Sequence, residues 1–410
     1  MLSCDAERRV GSPARGFTVA YHALTLGVEL AAELERGVCD LPLTHLSGAE
    51  RCEPGQPVRL ISPAGAPTAL GVADPENSLL RVLARAEEGF GALDVGFFRA
   101  RVRQAIALRS AFGLRRGETT HRLIHAAGDG LAGLTVDVYG EYGVLYAYAR
   151  GLLTLARLLG QVLLEELGLS GVVLKLRSAD SAQGQVKQEL IGLTPPEHLV
   201  VHEQGLPLEV HLLSGLNVGL FTDMREHRAR LTRFARDRSV LNLFSYTGSL
   251  SVAAARAGAR QVTSVDLASG VQRWARENFK LSGLSPEAHR FETGEVTGFL
   301  KKAARAGERF DLIIVDPPTY SAARASAWSI RKDYPELIVR ACALLPPAGL
   351  LWLAANRRDL PPLAELAREG FERAKRSARL LEVGGLPPDY PTLLAQPHDR
   401  YLQQALFSVI

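Results

Sequence analysis

The C-terminal part of the chain alternates short apolar runs with segments whose apolar residues recur at helical spacing. The runs VLNLF, VTSVD, LIIVD and GLLWLAA, which begin at about residue 240, are nearly continuous rather than alternating. Such runs are typical of strands buried on both faces, as in a parallel sheet flanked by helices. The pattern therefore predicts a doubly wound α/β domain over residues 206–410, with a last strand in YLQQALFSVI.

The N-terminal half has other patterns, which predict four units before that domain. Residues 1–41 give little beyond one helical stretch and count as an N-terminal extension. Residues 42–84 hold short alternations broken by Pro-Gly and Asp-Pro, typical of a small β domain. Residues 85–117 predict a connecting helix with arginines on its outer face. Residues 118–205 mix strands, one helix and a hairpin turning at Gln204-Gly205, so we expect an α+β middle domain.

Composition and charge place the chain among globular proteins and leave a nucleic-acid partner open. Hydrophobic residues make up 47% and charged residues 22%, and the formal net charge is +4. The sequence starts without an apolar core of signal-peptide length and has no apolar run long enough to span a membrane, so we predict a cytoplasmic protein. Cys4, Cys39, Cys52 and Cys342 match no zinc or disulfide template, so we expect reduced thiols and no metal site.

The first chemical motif joins the first two strands of the predicted parallel sheet. In LNLFSYTGSLSVAAARAGARQVTSVD a strand ends at Phe244, a loop runs to Gly248, a helix follows, and the next strand ends in Asp266. Free N–H groups at the helix start and a carboxylate at the strand tip suit a nucleoside. A dinucleotide needs several glycines near its pyrophosphate, and this loop offers only Gly248, which disfavours an NAD-dependent oxidoreductase. S-adenosylmethionine fits better, although an ordinary turn with an incidental Asp266 remains an alternative.

The second motif, FDLIIVDPPTYS, delivers a carboxylate to the end of a strand. Asp316 follows the apolar run, and Pro317-Pro318 restricts the backbone after it. Tyr320 comes next, where an aromatic ring could stack on a flat base. A simple strand-ending turn is the other interpretation.

Taken in order, LNLFSYTG, VTSVD and DPPTYS resemble the motifs of class I S-adenosylmethionine-dependent methyltransferases. Three more segments are similar to large-subunit ribosomal RNA methyltransferases with an N-terminal PUA-like domain: HRLIHAAGDGLAGLTVDVYGEYG, GLNVGLFTDMREHR and GGLPPDYPTLLAQPHDRYLQQALFSV. The resemblance covers roughly residues 42–410. It implies a Rossmann-like catalytic domain, a PUA-like RNA-binding domain at 42–84, S-adenosylmethionine as cofactor and ribosomal RNA as partner. The oligomeric state is left open, with a homodimer as one option.

The resemblance also implies roles for individual residues. The implied cofactor site consists of Phe221, Asp223, Arg225, Asn242, Phe244, Tyr246, Thr247, Gly248, Asp266, Glu295 and Asp316. Within it, Arg225 is expected near the methionine carboxylate, Asp266 at the ribose and Glu295 beside the adenine. Asp316 is expected to face the methyl group and the target base.

Some of these residues have a second interpretation that the sequence leaves open. Phe221 and Phe244 are equally consistent with packing in the core. Arg225 belongs to an Arg-rich helix, REHRARLTRFARDR, whose surface we expect to be mostly solvated, with an RNA-facing stripe as the alternative.

The segment GLLWLAANRRDL bears on which atom is methylated. Relatives that methylate carbon 5 of cytosine place a nucleophilic cysteine at the end of this strand, and here the segment has none. Cys342 lies on the preceding helix, where it should pack inward. LAANRRDL instead resembles the corresponding segment of enzymes that methylate nitrogen 7 of guanine, which needs orientation rather than covalent activation.

We therefore favour guanine nitrogen 7, with Asp316, Asn356 and Tyr320 as the catalytic residues. Three alternatives remain: a small-molecule methyltransferase, a cytosine carbon-5 ribosomal RNA methyltransferase, and a non-catalytic RNA-binding assembly factor.

Overall fold

Three large sheets and a hairpin follow one another along the chain in the computed structural model, which describes residues 20–113, 119–177, 187–318 and 330–410. No helix within these ranges is long and apolar enough to cross a membrane.

The first sheet has five strands in the order β1-β3-β4-β5-β2, with one helix beside it. Its elements are β1 (His22–Thr25), α1 (Val28–Arg36), β2 (Asp40–Pro42), β3 (Pro57–Ile61), β4 (Pro67–Asp74) and β5 (Leu79–Arg85). The predicted boundary at residue 42 is therefore wrong, because β1 pairs with β3 and β2 pairs with β5. Leu24 and Leu41, from the supposed extension, are fully buried in the core of this sheet.

The segment 85–117 contains helix α2 (Val95–Ala111), which is capped by Asp94, whose carboxylate accepts a hydrogen bond from the Phe97 N–H at 3.0 Å. Its arginines do not form the expected outer face. Arg101 and Arg109 are buried, because they pair with Glu88 and with Asp129 respectively. Even the more exposed Arg99 and Arg103 hold ion pairs with Glu166 of the middle domain. The arginines of α2 therefore connect parts of the protein to each other.

The second sheet has the order β10-β9-β8-β7-β6 and is followed by the hairpin. These elements are β6 (Thr120–His125), β7 (Leu134–Tyr139), β8 (Tyr142–Ala147), α3 (Leu153–Leu167), β9 (Gly171–Leu176), β10 (Gln188–Gly192), β11 (Leu199–Glu203) and β12 (Leu206–Val210). The hairpin turn is confirmed at Gln204-Gly205, where both residues have positive φ, as the tightest antiparallel turns require.

The middle sheet is buried on both faces, because successive side chains along its strands pack into two different hydrophobic cores. On β8, Leu145 packs into the core shared with the N-terminal sheet and α2, whereas Val144 and Tyr146 pack into the core of the C-terminal domain. Side chains of successive strand residues point to opposite faces, so one strand serves both cores. The middle sheet thereby fixes the N-terminal unit against the C-terminal unit.

The third sheet has seven strands in the order β15-β14-β13-β16-β17-β19-β18. Its elements are α4 (Arg225–Ala235), β13 (Ser239–Leu243), α5 (Ser249–Arg256), β14 (Gln261–Asp266), α6 (Ser269–Leu281), β15 (Arg290–Thr293), α7 (Val296–Arg305), β16 (Leu312–Val315), α8 (Ile330–Cys342), β17 (Leu350–Asn356), α9 (Leu363–Arg373), β18 (Ala378–Gly384) and β19 (Leu402–Val409). Strands β13 to β17 are parallel, and β19 runs antiparallel between β17 and β18. The predicted doubly wound α/β domain is confirmed, and its strand order reverses direction between β13 and β16.

Candidate functional site

The carboxyl ends of three neighbouring strands meet where the strand order reverses. The register pairs Leu243 of β13 with Val265 of β14 on one side and with Val315 of β16 on the other. The residue that follows each of these positions therefore lies at the same edge of the sheet. Asp266 and Asp316, predicted from separate motifs, are thus brought to one crevice, which is where open α/β sheets bind their ligands.

The loop of residues 244–248 is tied to Asp266 and to the segment before α4. The Asp266 carboxylate accepts hydrogen bonds from the Tyr246 N–H at 2.9 Å and from the Ala268 N–H at 3.1 Å. The Thr247 hydroxyl donates to the Gly219 carbonyl at 2.6 Å. Asp266 is therefore fixed in orientation, and its oxygens still have lone pairs to offer a ligand.

The backbone of this loop adopts left-handed conformations at three positions. Phe244 has φ 59°, Tyr246 has φ 47° and Gly248 has φ 77°. Non-glycine residues in this region store strain, and such strain is concentrated at ligand-binding and active sites. A side chain at Gly248 would also place its Cβ 2.9 Å from the Cβ of Ala275, so only glycine fits there.

The residues around the loop fit a nucleoside that carries an amino-acid tail. Helix α5 starts at Ser249 without a side-chain cap, so its first N–H groups can bind a carboxylate. Asp266 is partly exposed at the tip of β14, where its carboxylate can accept hydrogen bonds from the ribose hydroxyls. Phe221 is 43% exposed, with its ring centroid 5.4 Å from that of Tyr246. This exposure favours ligand contact over core packing for Phe221.

Arg225 forms a buried ion pair with an acid that was not predicted. Its two terminal nitrogens donate to both carboxylate oxygens of Asp389 at 2.7 and 2.9 Å, and its side chain is buried. The guanidinium is therefore engaged by a carboxylate of the protein itself. Arg228, one turn later, is also buried and binds both oxygens of Glu203 at 2.5 and 2.6 Å. The expectation of a mostly solvated arginine helix is wrong at both positions, because each faces a buried acid contributed by another segment.

Three further predicted residues make contacts within the protein. Glu295 is exposed and caps α7 by accepting from the N–H groups of Thr297 and Gly298 at 3.0 and 2.8 Å. Asn242 is buried beneath the loop, where its amide donates to the Ser251 hydroxyl at 2.9 Å. The Phe244 side chain packs against the core of the sheet, in line with the second interpretation of that residue.

The carboxyl groups of Asp223 and Asp316 are close enough to interact electrostatically. Asp223 is buried and accepts a hydrogen bond from the Tyr401 hydroxyl at 3.0 Å. Burial, and then the negative charge of Asp223, raise the pKa of Asp316 to about 7. Burial also raises the pKa of Asp223. A pair of carboxyls with raised pKa values creates a strong local preference for positive charge.

A buried polar network beside these acids was not predicted. Arg122 of β6 binds both oxygens of Asp137 on β7 at 2.7 and 3.0 Å. The same Asp137 accepts from the Thr222 hydroxyl at 3.1 Å, and Asp389 accepts from the Arg122 N–H at 2.9 Å. Three distant segments therefore meet here. Arg122, Asp137, Thr222 and Asp389 all lie in sequence segments that resemble the methyltransferase family, and this resemblance was the available signal. Nothing in the sequence indicated that these residues contact one another.

The end of β17 contains the predicted Asn356 and no thiol. Tyr334 of α8, also unpredicted, places its hydroxyl 2.7 Å from the Ala354 carbonyl and 3.2 Å from the Val315 carbonyl, which joins the ends of β17 and β16. Cys342 is buried on α8 as expected, and burial raises the pKa of its thiol to about 11. The third predicted catalytic residue, Tyr320, lies outside the described residues.

Comparison with known proteins identifies the family to which this chain belongs. A family model described as S-adenosylmethionine-dependent methyltransferase matches residues 171–400, which is more than half of the chain. This chain is an S-adenosylmethionine-dependent methyltransferase. The predictions of the cofactor, of a Rossmann-like catalytic domain and of an enzyme are thereby confirmed.

Similar proteins cover most of this methyltransferase. A Bacillus subtilis protein assigned as ribosomal RNA large subunit methyltransferase YwbD is 30% identical over 77% of this chain and 81% of its own length. Ribosomal RNA large subunit methyltransferase I of Klebsiella pneumoniae is 29% identical over 85% of this chain and 88% of its own. A SAM-dependent methyltransferase structure from Streptococcus mutans covers 94% of this chain and 99% of its own at 26% identity, with a TM-score of 0.82. A methyltransferase solved with SAH has the same identity and coverages and a TM-score of 0.83.

Replacing Asp266 by Ala should weaken S-adenosylmethionine binding to this methyltransferase by about 1.5–3 kcal/mol, because a hydrogen bond to a charged group is lost. Isothermal titration calorimetry measures the change directly. Asp311→Ala is the matched control, since Asp311 lies just before β16 at the opposite edge of the sheet and binds the Ser239 N–H there. Equal affinities of the two variants for the cofactor would rule out the ribose role.

Proposed function

We propose that this enzyme methylates a base of large-subunit ribosomal RNA in the cytoplasm, at a ring nitrogen, with nitrogen 7 of guanine as the favoured target. The RNA substrate is supported by the names of the relatives in Bacillus and Klebsiella. The observation that carries the choice of a nitrogen is the end of β17, where Ala354, Ala355 and Asn356 stand and a cysteine does not.

The chemistry of the crevice suits a nucleophile that becomes positively charged. S-adenosylmethionine, when bound, supplies an electrophilic methyl group on a cationic sulfur. Nitrogen 7 of guanine has an in-plane lone pair and no proton to remove, so the protein need not supply a base. Ionised Asp316 and Asp223 would stabilise the positive charge as it passes to the guanine ring. Asn356 would hold the base edge by a hydrogen bond, which leaves orientation as the main contribution of the protein.

Methylation at carbon 5 of cytosine would require a thiolate that adds to the ring. Among the described residues, Cys39 and Cys52 lie in the N-terminal sheet region, and Cys342 is a buried thiol. Burial raises the pKa of Cys39 as well, so neither buried cysteine is an activated nucleophile. Direct attack by a base nitrogen is therefore the simpler reaction for this site.

A variant with all four cysteines replaced by Ser or Ala should retain methylation activity within about threefold, apart from some stability lost at the buried Cys342. Activity is measured at a temperature where circular dichroism shows the variant to be folded. RNA that contains 5-fluorocytosine provides the second readout, because a cysteine enzyme would be trapped on it. A stable protein–RNA adduct would overturn the nitrogen assignment.

The substrate class is tested by transfer of labelled methyl groups from S-adenosylmethionine to purified RNA. We expect incorporation into large-subunit ribosomal RNA, little into small-subunit RNA or transfer RNA, and recovery of the label as 7-methylguanosine after digestion. Label only in small molecules of a cell extract would support a small-molecule methyltransferase instead. Cofactor binding without any transfer would indicate a non-catalytic RNA-binding factor.

We also propose that the five-stranded N-terminal sheet corresponds to the PUA-like RNA-binding domain implied by the sequence resemblance. Since this sheet shares one core with α2 and the middle sheet, its surface would be held in fixed orientation to the crevice.

A further inference from the structure

Two histidines and a glutamate meet on one face of the β11–β12 hairpin. The register pairs Leu199 with Val210, so the next positions outward, His198 and His211, lie opposite each other just beyond the ends of the two strands. Glu209 is two residues from His211 and therefore points to the same face of the hairpin. Cross-strand neighbours on one face are close enough for their side chains to interact directly.

The three side chains converge on a common point. The Nδ1 atom of His198 lies 3.0 Å from Oε1 of Glu209, and the Nε2 atom of His211 lies 2.6 Å from the same oxygen. One ligand atom from each residue lies within 4.8 Å of both others. In the described parts of the chain, these three residues form a group of His, Cys, Asp or Glu side chains whose ligand atoms are close enough to hold one metal ion.

We propose that His198, Glu209 and His211 bind a divalent transition-metal ion, for which zinc is the best-fitting occupant. Two imidazole nitrogens and one carboxylate oxygen are a recurrent zinc ligand set, with a water molecule as the fourth ligand. Ligand atoms around tetrahedral zinc lie roughly 3.4 Å apart, so the pairs already near Glu209 need to separate by less than about 1 Å. Magnesium and calcium prefer all-oxygen ligands, which disfavours them here.

Helix α6 holds two of the three ligands in place. The Trp274 ring stacks on the His211 ring with centroids 3.7 Å apart and 12° between the planes. The Trp274 indole N–H donates to the Glu209 carbonyl at 3.1 Å, and the Asn278 side chain accepts from the Glu209 N–H at 2.8 Å. The backbone of Glu209 is thus fixed on both sides, and support of this kind orients ligands in metal sites.

His198 is the adjustable ligand. Its side chain is 60% exposed, whereas those of Glu209 and His211 are 14% and 19% exposed. A rotation of this exposed ring can open the ligand triangle without disturbing the packing of Trp274. Solvent reaches the same side, so water is available as the fourth ligand.

The test is calorimetric titration of zinc into the full-length, chelator-treated protein, with magnesium titrated in parallel. We expect one zinc ion per chain to bind at this site and magnesium not to bind there. His198→Gln removes an exposed ligand with little effect on folding, and it should weaken zinc binding by about 100-fold or more, since even outer-shell changes cost about 10- to 100-fold. His211→Gln should have the same effect, with circular dichroism as the check on its folding.

His202→Gln is the matched control, because His202 lies on the same hairpin, is exposed and bonds through its backbone to Thr119. This variant should bind zinc as the wild type does. Zinc affinity unchanged in both His198→Gln and His211→Gln would overturn the proposal, as would a wild-type protein that binds no zinc at millimolar concentration. The latter result would leave the three side chains as a hydrogen-bonded group on the surface.

Discussion

Replacing Asp316 by Asn should lower kcat for RNA methylation by about 100- to 1,000-fold, the usual effect of removing one preorganised electrostatic group from an active site. Affinity for S-adenosylmethionine should change by no more than about threefold, because Asp266 and the 244–248 loop make the predicted cofactor contacts. Single-turnover kinetics with saturating cofactor separate the two quantities. Asp311→Asn, at the opposite edge of the sheet, serves as the control and should retain full activity.

The pH dependence of the same variant gives an independent check. Because the pKa of Asp316 is raised to about 7, the wild-type rate should increase as pH rises through 7, and this increase should vanish in Asp316→Asn.

A carboxyl whose pKa is higher in the folded than in the unfolded protein is costly to ionise, so stability falls as pH rises from about 4 through 7. At pH 8 the Asn variant should therefore be more stable than the wild type by about 1–3 kcal/mol, after allowance for partial exposure of the carboxyl. Equal stability of the two proteins at pH 5 and pH 8 would contradict the assignment of the raised pKa.

Replacing Asp389 by Ala should destabilise the protein by about 3–5 kcal/mol, because it removes the two-pronged partner of the buried Arg225 charge and leaves only a longer ion pair with Glu226 at 3.5 Å. The Arg225 and Asp389 side chains of this ion pair are 3% and 0% exposed. Asp389 also accepts from the Arg122 N–H, and its carbonyl accepts from Arg109 at 2.7 Å, so it joins α2, β6 and α4. Urea denaturation followed by tryptophan fluorescence and circular dichroism measures the loss.

The control for this prediction is Glu382→Ala, which breaks the ion pair with Arg233, whose side chain is 64% exposed. Exposed pairs contribute at most about 1 kcal/mol, so this variant should resemble the wild type. The double variant Arg225→Met with Asp389→Leu should regain part of the loss, since it removes both charges. If Asp389→Ala costs no more than Glu382→Ala, the pair does not have the structural role assigned to it.

The central strands β13, β14, β16 and β17 of the C-terminal sheet could be predicted from the sequence because they are nearly continuous apolar runs, and β13, β14 and β16 each lead into a recognisable motif. The positions of Asp266 and Asp316 followed from those strand ends alone. The N-terminal sheet was missed in part because β1 and β2 have only four and three residues, too few to show a period. Their assignment depends on pairing with β3 and β5, which local sequence does not reveal.

The partners of the buried arginines could not be predicted for a related reason. A run of arginines on an amphipathic helix looks the same whether it faces solvent or a buried acid. Arg225 meets an acid 164 positions away and Arg228 meets one 25 positions away, and only the packed fold brings them together. The same holds for the zinc-site residues, because His198 and His211 become neighbours only through the register of the hairpin.

Mass-spectrometric mapping of modified nucleosides in large-subunit ribosomal RNA shows whether this enzyme methylates guanine nitrogen 7 in cells. The RNA is isolated from wild-type cells, from cells in which the gene for this protein is deleted, and from deletion cells that express either the wild-type protein or Asp316→Asn from a plasmid. We predict that one 7-methylguanosine disappears in the deletion, returns with the wild type and stays absent with Asp316→Asn. Loss of a 5-methylcytosine instead, or an unchanged set of modifications, would contradict the account.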